Sequence, residues 1–290
     1  MTDKRVQFDF EIDFANGGGI AGNAFRLDID GDDIADDALA DYIVRDLRLL
    51  MVGAVRIRNK RIIAEPHKRA VTPRFLDLSH TIEDGMITYK GFPAPLVCDH
   101  LSHVASRAKY APGTEFQIGR VEMVGNTGTY MDSPYHRYAD GDDIAGLALE
   151  NIAALDAVVV DATGVRERAI PRSVFASLDV RGKAVLVHTG WDRHWRTDQY
   201  FEGHPFLTED AATFLRDAGA KLVGIDSLNI DSTGDGTRPV HTTLLGAGIP
   251  IVEHLCRLDT APASGFRFSA VPPKVRRIGT FPVRAFALLD

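Results

Sequence analysis

Four polar side chains stand close together in the stretch Gly125-Asn-Thr-Gly-Thr-Tyr-Met-Asp-Ser-Pro-Tyr-His-Arg-Tyr-Ala-Asp-Gly141: Asn126, Tyr130, Asp132 and His136. Gly128 and Pro134 interrupt any regular element there, so these groups are expected to converge on a small volume. The imidazole of His136, with an ordinary pKa of ~6.5, can accept and return a proton at neutral pH. The phenol of Tyr130 can donate a hydrogen bond to an oxyanion or act as a general acid, and it can equally just fill space. Asp132 can serve a metal ion or orient His136. By itself the stretch also fits a surface loop turned at Ser133-Pro134. Ser133 reads as a turn residue, and the chain has no Gly-x-Ser-x-Gly elbow, which disfavours a Ser-His-Asp hydrolase. Without a glycine-rich dinucleotide fingerprint, no organic cofactor is expected.

The elements that must carry these groups are α/β in pattern. The strand-like run Phe116–Val124 precedes the polar stretch and is expected to be its rigid platform. From Ala157 onward, the apolar runs Ala157–Asp161, Ala184–His188 and Lys221–Asp226 read as strands buried on both faces. A helix over 208–218 lies between two of them, with Thr208 as N-cap and Gly219 as its stop. His188-Thr-Gly-Trp191 sits at a strand end, where α/β folds place ligand contacts, and Trp191 offers an aromatic wall or a core side chain.

Residues 1–69 read as a small α+β module and residues 70–290 as the main domain, joined through Glu65-Pro-His-Lys-Arg69. Val6–Phe14 alternates at strand period, Asn16–Gly19 supplies a hairpin turn, and Ala24–Ile29 pairs back. Leu39, Ile43, Leu47 and Leu50 then follow helical spacing, and Ala54–Ile63 adds a further strand.

A net charge of −7 and a pI near 5.8 exclude a basic nucleic-acid or anionic-membrane surface as the main business of the chain. The expected partner is a small molecule. Cys98 and Cys256 are too few for a disulfide framework or a cysteine-rich zinc site. With no long apolar segment, the expected location is the cytoplasm.

The stretch Asn126-Thr-Gly-Thr-Tyr130-Met-Asp132-Ser-Pro-Tyr-His136 resembles the signature of the cyclase family of metal-dependent hydrolases, which includes bacterial kynurenine formamidase and isatin hydrolase. That signature reads His-x-Gly-Thr-His-x-Asp-x-Pro-x-His, so Gly128, Thr129, Asp132, Pro134 and His136 are in register while Asn126 and Tyr130 replace two histidines. Phe75–Ile82 resembles the family's opening strand, and Arg238-Pro-Val-His241 and Ile249–Glu253 the second half of its metal site. The resemblance implies a cyclase-family domain with a mixed sheet and helices, preceded by the small module, and a homodimer or homotetramer.

It also implies one divalent ion per chain, Zn²⁺ or Mn²⁺, held by Asp132, His241 and Glu253. His136 would be the proton-transfer residue, Tyr130 and Asp132 its catalytic companions, and Trp191, Asn126 and Thr129 substrate contacts. The implied reaction is hydrolysis of an amide, imide, lactam or lactone. The alternatives are a metal-free cyclase or dehydratase using Tyr130, Asp132 and His136, and a non-catalytic relative that only binds a small molecule.

Overall fold

A computed structural model describes residues 4–29, 31–65 and 74–289. The chain divides into two compact units, Met1–Thr72 and Pro73–Asp290. Most of the segment read as a linker, residues 66–69, lies outside the described residues.

In the first unit, β1 (Lys4–Phe14), β2 (Gly19–Ile29), helix α1 (Asp36–Asp46) and β3 (Val52–Ala64) build an antiparallel sheet ordered β2-β1-β3 with one helix. Val6, Phe8, Phe10 and Ile12 alternate along β1 and are buried with Leu39 and Ile43 of α1, so the strand and helix periods meet in one core. The helix is shorter than the apolar spacing suggests. Arg48 enters the left-handed region at φ 51°, and Leu50 is 83 % exposed.

The second unit is mixed α/β and opens its helices with the short α2 (His103–Ser106). Its strands are β4 (Arg74–Asp77), β5 (Leu96–Leu101), β6 (Ile118–Glu122), β7 (Tyr130–Asp132), β8 (Leu155–Asp161), β9 (Ala169–Ile170), β10 (Ala184–His188), β11 (Phe206–Leu207), β12 (Leu222–Ile225), β13 (Ile251–Glu253), β14 (Ser264–Val271), β15 (Thr280–Pro282) and β16 (Arg284–Leu289). Among the described residues, the main sheet runs β15-β7-β13-β12-β10-β8-β14-β16-β4. Its centre, β8 to β13, is parallel and its flanks are antiparallel.

The Val-rich runs are strands because both faces are covered. Val185 and Val187 of β10 pack with helices α3 (Glu209–Ala218) and α4 (Pro239–Gly246), while Ala184 and Leu186 pack with Phe266 and Phe268 of β14. Helix α3 ends at Gly219, φ 83°. Thr208 stands at its N-cap position, but its hydroxyl donates to the Ile170 carbonyl and caps no amide. The run Phe116–Val124 is not the platform of the polar stretch. Among the described residues its strand β6 pairs with β5 alone in an exposed ribbon, and the polar stretch is carried by β7 in the main sheet.

Phe268 has no exposed surface in this core. Phe268→Ala should therefore cost about 3–5 kcal/mol of unfolding free energy, measured by urea titration, through lost transfer energy and the cavity left behind.

Candidate active site

Strand β7 lies between β13 and β15, and their registers build the site. Asp132 stands beside Ile251 on one side and Thr280 on the other, and Tyr130 stands beside Glu253 and Pro282. After Asp132 the chain turns, with the Ser133 amide donating to the Gly279 carbonyl at 2.8 Å, and a short 3-10 turn over Pro134–His136 returns His136 toward Asp132. A Cβ on Gly279 would lie 2.5 Å from the Cα and N of His136, so only glycine permits this approach.

The Asp132 carboxylate has no exposed surface. Its Oδ1 accepts from the Thr280 hydroxyl, and that hydroxyl in turn lies 2.8 Å from His136 Nδ1. With the hydroxyl proton given to Asp132, Nδ1 is the donor in this contact, and the lone pair of His136 sits on Nε2. Among the described residues, Asp132 Oδ2 has no hydrogen-bond partner. His241 Nε2 is 3.6 Å from that oxygen and 3.8 Å from Glu253 Oε1.

Asp231 fixes the ring of His241. It accepts the α4 amides of Val240 and His241 at 2.8 and 2.9 Å and the His241 Nδ1–H at 2.7 Å. One carboxylate thus caps the helix and turns Nε2 toward Asp132. Burial would lower the His241 pKa, but Asp132 and Asp231, with the charge of Glu253, raise it to about 10. Burial would likewise raise Asp132, yet the charge of His136 and the attraction of His241 hold it below its ordinary 3.8. The electrostatics of this point therefore call for positive charge, whether a proton or a metal ion.

Among the described residues, Asp132, His136 and His241 are the group able to offer three ligand atoms, all within 4.8 Å of one another. Glu253 stands beside this group. Its Oε1 accepts from the Ile230 amide at 2.6 Å and its Oε2 from the Tyr130 hydroxyl at 2.5 Å, with Asn229 Nδ2 at 3.3 Å. Burial and the neighbouring Asp132 raise Glu253 to about 7 against the pull of His241. Burial first, and then the charge of Glu253, drive Tyr130 and Tyr89 well above the usual phenol value, so both stay protonated. The two hydroxyls are 3.0 Å apart, and Tyr89 donates to the Leu228 carbonyl.

Tyr89, Tyr130, His136, Asn229, His241 and Glu253 line a cavity of about 380 Å³ together with Asn126, Phe92, Thr233, Arg137 and Arg238, while Asp132 lies behind its wall and does not line it. Trp191 and Thr129 do not line it. The Trp191 indole donates to the Tyr200 carbonyl and packs on His194, because Asp226 accepts three hydrogen bonds from Thr189 and Gly190 and folds that turn away. Thr129 is buried, donates to the His254 carbonyl and accepts the His80 amide. A larger cavity, about 660 Å³, lies in the first unit between Asp28 and Arg48, and its described residues gather no comparable set of ligand groups.

Sequence reasoning did not reach Asp231, Thr280, Tyr89, Asn229, Arg137 or Arg238 as members of this site. The Asp231 signal was present, a carboxylate ahead of a Pro-initiated helix that carries a histidine. Arg137 and Arg238 stand beside His136 and three residues before His241 in sequence, while Thr280, Tyr89 and Asn229 are joined to the site only by tertiary structure.

The family model described as "Putative cyclase" matches residues 76–232, more than half of the chain. The chain belongs to the cyclase family. The match covers Asp132 and His136, and His241 and Glu253 follow it. A kynurenine formamidase of Bacillus cereus is 26% identical over 215 residues, spanning 74% of this chain and 97% of its own. One of Geobacillus thermodenitrificans is 27% identical over 214 residues, spanning 73% and 95%. Among solved structures, isatin hydrolase A of Labrenzia aggregata, bound to benzyl benzoate, shares the fold at TM-score 0.63 and 21% identity, covering 75% of this chain and 94% of its own. A protein described as a potential metal-dependent hydrolase with cyclase activity aligns at TM-score 0.59 and 27% identity, covering 76% and 99%.

His80 stacks on Trp195 with ring centroids 4.0 Å apart, and burial lowers its pKa to about 4. A histidine whose folded pKa lies below its unfolded ~6.5 contributes stability that is complete above pH 6.5 and is lost as the pH falls toward 4. Urea titrations across that window should show up to ~3 kcal/mol of loss from this residue. His80→Phe, which keeps the stack, should flatten the slope, and an unchanged slope would refute the assignment.

Proposed function

We propose that this chain is a metal-dependent hydrolase that opens an amide, imide, lactam or lactone bond in a small molecule. The observation that carries the reading is the convergence of Asp132, His136 and His241 around a buried carboxylate oxygen with no hydrogen-bond partner. Two imidazole nitrogens and a carboxylate suit Zn²⁺ or Mn²⁺. When bound, such an ion polarises a carbonyl and acidifies coordinated water.

The chain's own groups have distinct tasks in this reading. Asp231 and Thr280 hold His241 and His136 in the tautomers that leave each Nε2 lone pair for the ion. Glu253, standing beside the ligand group, takes the proton of the attacking water at Oε1 and returns it to the departing nitrogen or oxygen. The water oxygen bonds to the carbonyl carbon, the C–N or C–O bond breaks, and the products are a carboxylic acid and an amine or alcohol. Tyr130 remains a neutral donor that fixes the orientation of Glu253 through Oε2. The resemblance made Glu253 a ligand and His136 the proton carrier. The distances favour exchanging those two roles, because both Glu253 oxygens already accept hydrogen bonds.

Metal analysis of the purified protein should find about one ion per chain. Asp132→Asn should lose it together with turnover, Asp231→Asn should weaken its binding ~10–100-fold, and Glu253→Gln should keep it while kcat falls at least ~100-fold. Turnover that survives chelation of a metal-free protein would overturn this reading.

The proposal includes self-association. The ribbon of β5 and β6 and its flanks expose Leu96, Val97, Phe116, Ile118 and Val121, more apolar surface than a solvated loop favours. Sedimentation at micromolar concentration should give a dimer or tetramer, and a monomer would refute it.

A further inference from the structure

Two guanidinium groups, Arg137 and Arg238, line the cavity above its carboxylate floor. Among the described residues, every hydrogen-bond partner of these two is neutral. Arg238 Nη1 donates to Asn229 Oδ1 at 3.3 Å and to the Ser232 carbonyl at 3.1 Å. Arg137 Nε donates to Thr242 Oγ1 at 3.2 Å, and its guanidinium lies 5.3 Å from the centre of the Tyr138 ring. Among the described residues neither has a carboxylate within ion-pair distance, the exposed Asp235 feeling the charge of Arg238 only from farther off, whereas many other arginines are paired.

The backbone reinforces the point. Arg238 adopts φ 50°, a left-handed conformation uncommon for a side-chain-bearing residue, at the position preceding Pro239 and α4. The α4 amides cannot serve an anion instead, since those of Val240 and His241 already donate to Asp231. Asn229 links Arg238 to the floor, accepting from Arg238 through Oδ1 and donating toward Glu253 Oε2 at 3.3 Å. The guanidinium thus stands one amide side chain away from Glu253, the span of a small aromatic acid.

We propose that Arg137 and Arg238 form an anion-binding rim that selects substrates carrying a carboxylate in addition to the bond that is cleaved. The inference rests on the hydrolase reading only for where the reacting carbonyl sits. Two planar guanidinium forks whose hydrogen bonds go to neutral acceptors keep free donors for a carboxylate. They also offset the repulsion that Asp132 and Glu253 would exert on an anionic ligand. Phe92 and Tyr89 supply apolar walls between rim and floor, so the fitting class is a flat, carboxylate-bearing amide, imide, lactam or lactone.

The test is calorimetric binding of 4-acetamidobenzoate and of its methyl ester to the full chain as purified. The acid should bind at least ~10-fold tighter than the ester, and raising the salt should weaken the acid alone. Arg137→Gln and Arg238→Gln should each cost the acid about 10-fold while leaving the ester unchanged, and Arg238→Lys should recover part of the loss. An acid that binds no tighter than the ester, no measurable binding of the acid at millimolar concentration, or a preference that survives both substitutions overturns the proposal. Because the readout is affinity, absence of hydrolysis of either probe counts against the hydrolase reading and leaves the rim standing. Absence of the preference in the unaltered protein, with its metal content intact, counts against the rim alone.

Discussion

Burying the Asp132 carboxylate is the constraint on which the rest of the site depends. An ionised carboxylate without exposed surface is costly unless cations and donors surround it. Only one of its oxygens is satisfied by a hydroxyl, that of Thr280. The other faces His241, and the position of His241 depends on Asp231, so a second buried acid is recruited to hold the positive charge that the first requires. The sheet makes this possible. Because β7 is paired on both sides, by β13 and β15, its backbone polar groups are satisfied by strands, and its side chains can be spent on the site.

How much of this was legible in the sequence follows from the range of each interaction. Asp132 and His136 are four residues apart on interrupted backbone, and their approach to 3.7 Å is a local event that the pattern announced. The buried strands were equally plain, since a run such as Ala184–Val187 has no polar face to show solvent. Thr280, by contrast, reaches Asp132 only through the pairing of β15 with β7, which no local pattern encodes. The same holds for Tyr89 and Asn229, which meet Glu253 from separate segments. Trp191 was misplaced for a related reason. Its position at a strand end was correct, but the direction of the indole is set by Asp226 gripping the turn before it. Phe116–Val124 has the composition of a core strand, and its pairing in an exposed ribbon is a tertiary fact that composition cannot supply.

The two residues that depart from the family signature are best understood through the charge they remove. A histidine at position 130 would offer a ligand nitrogen or a cation beside Glu253, whereas Tyr130 offers one neutral donor to Glu253 Oε2. Its phenol resists ionisation in this buried, acidic setting, so it provides no anionic oxygen for a metal. Asn126, on the wall of the same cavity, is also neutral. With these two positions uncharged, the charge acting on Glu253 from this group is that of His241, which pulls its pKa down against burial and Asp132. In the proposed hydrolase, substitution at the signature leaves one cation position, at Asp132, His136 and His241, with the Glu253 acid beside it. That division of labour between a fixed charge and a mobile proton is the arrangement general acid–base chemistry needs.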